Sequence, residues 1–180
     1  MLRITIPGTE LWDENKQEFL RTKEQTLQLE HSLVSLSKWE SKWGKPFLSK
    51  RDMSIEESID YVRCMTITQN VKPEVYNALT AENMKDIADY INSPMTATYF
   101  STNIGAKPSS EQTTAELIYY WMIALNIPPE CQKWHLNRLL TLIRVCEIKN
   151  SPPKKMSKRE IMSRNAALNA ARRKKLNSKG

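Results

Sequence analysis

The chain has 180 residues, 40% of them apolar and five of them tryptophan, which is enough for one core of ordinary size. Only four glycines and nine prolines argue against a loop-rich all-β protein, and three widely spaced cysteines argue for free thiols in a reducing compartment, not a disulfide framework. The net charge of +7 is uneven: residues 149–180 hold eleven Lys/Arg and one acid, whereas the preceding residues hold 16 basic and 19 acidic side chains. A mildly acidic body therefore carries a strongly basic tail, and the high isoelectric point does not by itself mark a nucleic-acid-binding domain.

Residues 1–31 alternate in the manner of strands. "RITI" and "TLQLEH" show a period of two, and "DENK" (13–16) suits a turn between "ELW" and "QEFL". Two or three short antiparallel strands are expected, with His31 at a strand end. No apolar leader is expected in "MLRITIPGTELW".

"LVSLSKWESKWGKPFL" (33–48) reads as the first helix. At about 100° per residue, Leu33, Leu36, Trp39 and Trp43 share one face. Gly44 suits the left-handed residue that ends a helix, and Pro46 prevents continuation. Lys38 and Lys42 fall on the solvated side, and Glu40 falls inside the apolar arc, where it needs a partner such as Lys45 or a neighbouring element. The tryptophans, with Trp121 and Trp134, are read as belonging to the folded body.

Ser54 and Glu57 form a capping box for a helix carrying Ile55, Ile59, Val62 and Met65. Pro73 is placed at a further helix start. A helix after Thr80 presents Met84, Ile87 and Ile91 and stops at "NSP" (92–94). Residues 93–110 are polar with two prolines and a glycine, and read as an ordered lead-in followed by a mobile loop from about 101. Thr113 and Glu116 suggest another capping box. The helix after it contains "LIYYWMIAL" (117–125), too short to cross a membrane and apolar nearly all round, so it is expected at the centre of the bundle. "PPE" (128–130) then starts a longer helix with Leu136, Leu139, Leu140 and Ile143 inward and Arg138, Thr141 and Arg144 outward. After "KNSPPKK" (149–155), Ser157 and Glu160 cap a last helix with little apolar surface.

The expected fold is mainly α: a short N-terminal antiparallel β hairpin or small sheet, then a helical bundle, then a basic C-terminal helix. Its parts are residues 1–31 (β element), 32–149 (helical body) and 150–180 (basic tail, loosely docked).

No constellation in this sequence carries catalysis. Two histidines supply no triad, the glycines are isolated, and no paired cysteines or histidines complete the four ligands of a structural metal site around Cys131 and His135. No catalytic residue, metal or cofactor is expected. The basic residues Lys154, Lys155, Lys158, Arg159, Arg164, Arg172, Arg173, Lys174 and Lys175 are the candidate binding residues. An acidic protein partner is favoured over nucleic acid, since no aromatic side chain is available there to stack on bases.

"HSLVSLSKWESKWGKPFL" together with "YYWMIALNIPPECQKWHLNRLLTLIRVCEIKNSPPKKMSKREIMSRNAALNAARR" resembles a group of small tailed-bacteriophage proteins, usually described as tail assembly chaperones or as structural-operon proteins. They are encoded among the virion structural genes, near the tape measure protein. The resemblance extends over almost the whole chain but defines no binding motif. It implies a non-enzymatic protein in the host cytoplasm that binds the tape measure protein, the tail tube protein or both, and could form a homo-oligomer. The alternatives are a virion structural or adaptor component, and a nucleic-acid-binding accessory protein acting through the basic tail. No membrane association is implied.

Overall fold

A computed structural model of the chain describes residues 1–8, 10–13, 17–21, 23–49, 53–100, 112–151 and 157–177. It is mainly helical, with an N-terminal antiparallel β element, a bundle and a basic C-terminal helix. The chain divides into two compact units, Met1–Ile148 and Lys149–Gly180.

The first unit begins with four strands in place of the two or three expected: β1 (Leu2–Ile6), β2 (Glu10–Asp13), β3 (Glu18–Arg21) and β4 (Gln25–Leu29). They pair antiparallel as two nested ladders, β1 with β4 and β2 with β3. Residues 14–16 of the expected turn lie outside the described residues. Alternation along β1 and β4 places Ile4, Ile6, Leu27 and Leu29 on one buried face. The β element is therefore built into the core of the body.

Helix α1 (Leu33–Trp43) starts at Ser32, whose hydroxyl accepts the Ser35 amide, and ends at Gly44, at φ 60°. Helices α2 (Ile55–Met65), α3 (Ala81–Asn92), α4 (Ala115–Ala124) and α5 (Leu136–Asn150) follow, with short 3-10 helices at Phe47–Ser49, Pro73–Ala78 and Pro129–Lys133. The capping box of Ser54 and Glu57 forms as expected. Pro73 begins a 3-10 helix, not an α-helix. The helix expected from residue 128 is broken in two: the 3-10 segment ends at Trp134, and α5 starts anew after His135.

Two apolar clusters make up the interior. One joins the β1–β4 face to α2, α3 and Trp39; the other joins α4 and α5 to Leu33 and Leu36. Helix α1 is the spine between them, because its Leu and Trp pairs serve different cores. Helix α4, expected at the centre, is peripheral. It buries Ala115, Ile118 and Met122 and leaves Tyr120 and Ile123 exposed at 63% and 76%. Since α1 already separates the two cores, α4 closes one cluster from outside and only a stripe of it is covered.

The second unit contains α6 (Lys158–Leu176). The Ser157–Glu160 capping box forms, Asn177 ends the helix in the left-handed conformation, and every residue of α6 is exposed.

Candidate functional site

The opening tryptophans form the seam between α1 and α2. Trp39 is fully buried, and its indole N–H donates to the Glu57 carbonyl at 2.9 Å. The half-buried Trp43 donates to the Asp60 carboxylate at 2.9 Å. Lys42, exposed on the solvated side as expected, also reaches the same carboxylate at 2.5 Å, and Lys45 reaches Glu57 at 2.8 Å. Burial pushes the Asp60 carboxyl up, but the hydrogen bonds of Lys42 and Trp43 and the charges of Lys42 and Arg63 outweigh it and hold the group below the usual carboxylate value. Trp121 and Trp134 are half-buried against the second cluster. All four indoles thus belong to the body.

Glu40 finds its partners elsewhere than Lys45. One carboxylate oxygen accepts the Phe47 amide at 2.8 Å, and the other accepts the Ala115 amide at 2.7 Å. The second contact places a carboxylate at the N-terminus of α4, where it satisfies an amide the helix leaves unpaired. The hydroxyl cap is Thr114, not Thr113.

The chain's two histidines meet in the interior, their rings 5.1 Å apart and edge to face. His31 Nδ1 lies 2.5 Å from the Tyr61 hydroxyl. His135 Nδ1 accepts the Asn137 amide at 3.3 Å, so Nε2 carries the hydrogen and donates to the Tyr90 carbonyl at 3.0 Å. His135 is therefore a helix cap for α5. Cys131 lies on the preceding 3-10 segment and is buried, and burial with the nearby Glu130 pushes its thiol up. Among the described residues no group of three or more His, Cys, Asp or Glu is placed to hold a metal ion. Burial and the adjacent His135 lower the His31 pKa to about 3, and burial also lowers that of His135. Both rings are neutral structural elements.

Three surface features stand out among the described residues. An apolar groove of about 150 Å³ lies between α2 and α3, lined by Phe47, Met53, Tyr61, Met84, Ile87 and Ile91 among others. The outer face of α4 shows Tyr120 and Ile123. Helix α6 carries Lys158, Arg159, Arg164, Arg172, Arg173, Lys174 and Lys175, all exposed. Lys154 and Lys155 lie outside the described residues, as does the loop expected from about residue 101 to 110. Sequence reasoning singled out the α6 residues and missed the α4 face. Its signal was available in the excess of apolar residues over what one helix stripe requires. Among the described residues, no helix is long and apolar enough to cross a membrane.

No family model matches the chain, and no curated protein or solved structure matches it either.

Proposed function

We propose that the chain is a non-enzymatic tail assembly chaperone of the bacteriophage kind, acting in the host cytoplasm by holding the tape measure protein while tail tube subunits assemble around it. The observation that carries this reading is the outer face of α4, where Tyr120 and Ile123 stand exposed on a helix that is apolar nearly all round. A long helical partner shows apolar stripes until it is enclosed, and a complementary apolar helix face shields such a stripe from non-specific association. The resemblance of the tryptophan-rich and C-terminal blocks to phage tail assembly proteins supplies the identity of the partner.

The test is co-expression with a tape measure protein from the same genome. The chain should co-purify with it and raise its soluble yield, and Ile123→Lys with Tyr120→Lys should abolish both effects at unchanged melting temperature. Purified virions should lack the chain. Finding it there at fixed stoichiometry would replace this reading with the structural or adaptor component. Capture that survives the double substitution would remove α4 from the argument.

A further inference from the structure

Helix α6 is a 19-residue helix with no buried residue and no aromatic side chain. At about 100° per residue, Lys158, Met162, Asn165, Asn169, Arg172 and Leu176 fall within an arc of about 80°. Arg159 and Arg173 flank this arc on one side, Arg164 and Lys175 on the other. The back of the helix carries Ser163, Ala167 and Ala170 with Lys174 and Glu160 among them, and Ile161 and Leu168 lie between the arc and the Arg164–Lys175 flank. Its ends are set before any partner arrives: the Ser157–Glu160 box closes the start and Asn177 the finish. Glu160 stands in the first turn and Arg173, Lys174 and Lys175 in the last, so the charges follow the helix dipole.

We infer that α6 binds double-stranded DNA by lying in the major groove, with Asn165 and Asn169 toward the base edges and the flanking Arg and Lys side chains on phosphates of the two strands. Four physical matches carry this assignment. A helix about 10–12 Å across with its side chains fits a groove about 12 Å wide. Its length of about 28 Å spans most of one duplex turn of about 34 Å. Asn side chains pair with the adenine edge through two hydrogen bonds, and here two of them stand one helical turn apart on the same face. Positive charge on both flanks matches the two phosphate walls.

The other polyanionic occupants fit less well. Protein interfaces centre on aromatic and apolar anchors and are depleted in lysine, whereas α6 has no aromatic side chain and sets its exposed aliphatic ones, Ile161, Met162, Leu168 and Leu176, among Lys and Arg. Single strands are held by stacking on aromatic rings, which α6 lacks. Duplex RNA has a major groove too narrow for a helix. An acidic protein, favoured from composition, would meet only the thin aliphatic stripe of Ile161 and Leu168 on this helix.

The experiment is fluorescence anisotropy of the full chain with a labelled 24-base-pair DNA duplex, from 50 to 200 mM KCl. With about six phosphates neutralised, affinity should fall about a thousandfold over that range. Replacing Arg172, Arg173, Lys174 and Lys175 together by Ala, which favours helix, should weaken binding by at least about a hundredfold at 100 mM KCl and flatten the salt slope. Circular dichroism should show the helix retained. Asn165→Ala with Asn169→Ala should keep the salt slope and erase any preference selected from a random-sequence duplex pool. The inference is overturned by no binding at 50 mM KCl, by a quadruple variant that binds like the parent, or by equal affinity for single strands. It is also overturned if poly-L-glutamate competes as well as DNA at equal charge concentration, which would make the ligand an acidic polypeptide.

Discussion

The Glu40 carboxylate on α1 holds the amide of Ala115, 75 positions later in the chain, at 2.7 Å. Its second oxygen holds the Phe47 amide at 2.8 Å. One buried acid thus ties the start of α4 and the turn after α1 to the spine of the body. Removing it leaves two amides without an acceptor, each at a cost of about 1–3 kcal/mol. Glu40→Ala should destabilise the chain by about 2–5 kcal/mol in urea unfolding. Glu40→Gln, which keeps one acceptor, should cost less. Equal stability of Glu40→Ala and the parent would show that water replaces the carboxylate.

Trp39 and Trp43 differ in burial, and the difference sets an order. Trp39→Ala should cost about 3–5 kcal/mol, as for other buried aromatic truncations. Trp43→Ala should cost less, because its ring is half-exposed and its main polar contact is the Asp60 carboxylate. Trp39→Phe removes the indole N–H that donates to the Glu57 carbonyl together with part of the ring, so it should cost more than the about 1–3 kcal/mol of the hydrogen bond alone and less than Trp39→Ala. Thermal and urea melts of the three variants settle the order; a larger loss for Trp43→Ala would reverse it.

His31 makes stability depend on pH. Its folded pKa is lowered to about 3 from the ordinary 6.5, so the unfolded chain binds the proton more readily. The stabilisation is complete above pH 6.5 and is lost as pH falls from there toward 3. Between pH 7 and pH 5 the loss should be about 2 kcal/mol. His31→Gln, which keeps a partner for Tyr61, should flatten that slope. A slope unchanged in the variant would assign the pH dependence to other groups.

No residue after Ile143 is among the buried apolar side chains of the described residues. A chain ending at residue 150 should therefore fold cooperatively, with a melting temperature within about 2 °C of the full chain, on the scale of a few tenths of a kcal/mol. Loss of cooperative unfolding on truncation would make residues 151–180 part of the folding unit.

Local chemistry made much of this architecture readable. Ser54 with Glu57 and Ser157 with Glu160 fixed two helix starts, and Gly44 fixed an end, because those caps depend only on near neighbours. What escaped depends on distant residues. Thr113 and Thr114 offer the same hydroxyl, and the adjoining amide is held by Glu40 from across the fold. The apolar belt of α4 could not disclose which side lacks a partner, since that follows from α1 dividing the interior. The His31–His135 contact joins positions with no spacing signal. Lys42 is solvated as its helical period implies, but that period does not show that Asp60 of α2 lies within its reach. Of the candidate surfaces, the charge of α6 and its scant apolar surface were both plain in the sequence, and no residue of the helix is buried.

In both β ladders the numbers of paired residues add to 31, so the sequence positions between them, 7–9 on one side and 22–24 on the other, are equal in number and the two ladders share one register. The N-terminal segment is thus a single zipper with a gap. Closing the inner ladder first shortens the remaining loop for the outer one and lowers its entropy cost. The gap also makes the arm intolerant of length changes on one side only. Deleting one residue from either strand there would turn Ile4 and Ile6, or Leu27 and Leu29, away from the core, whereas deleting one from each would preserve the match.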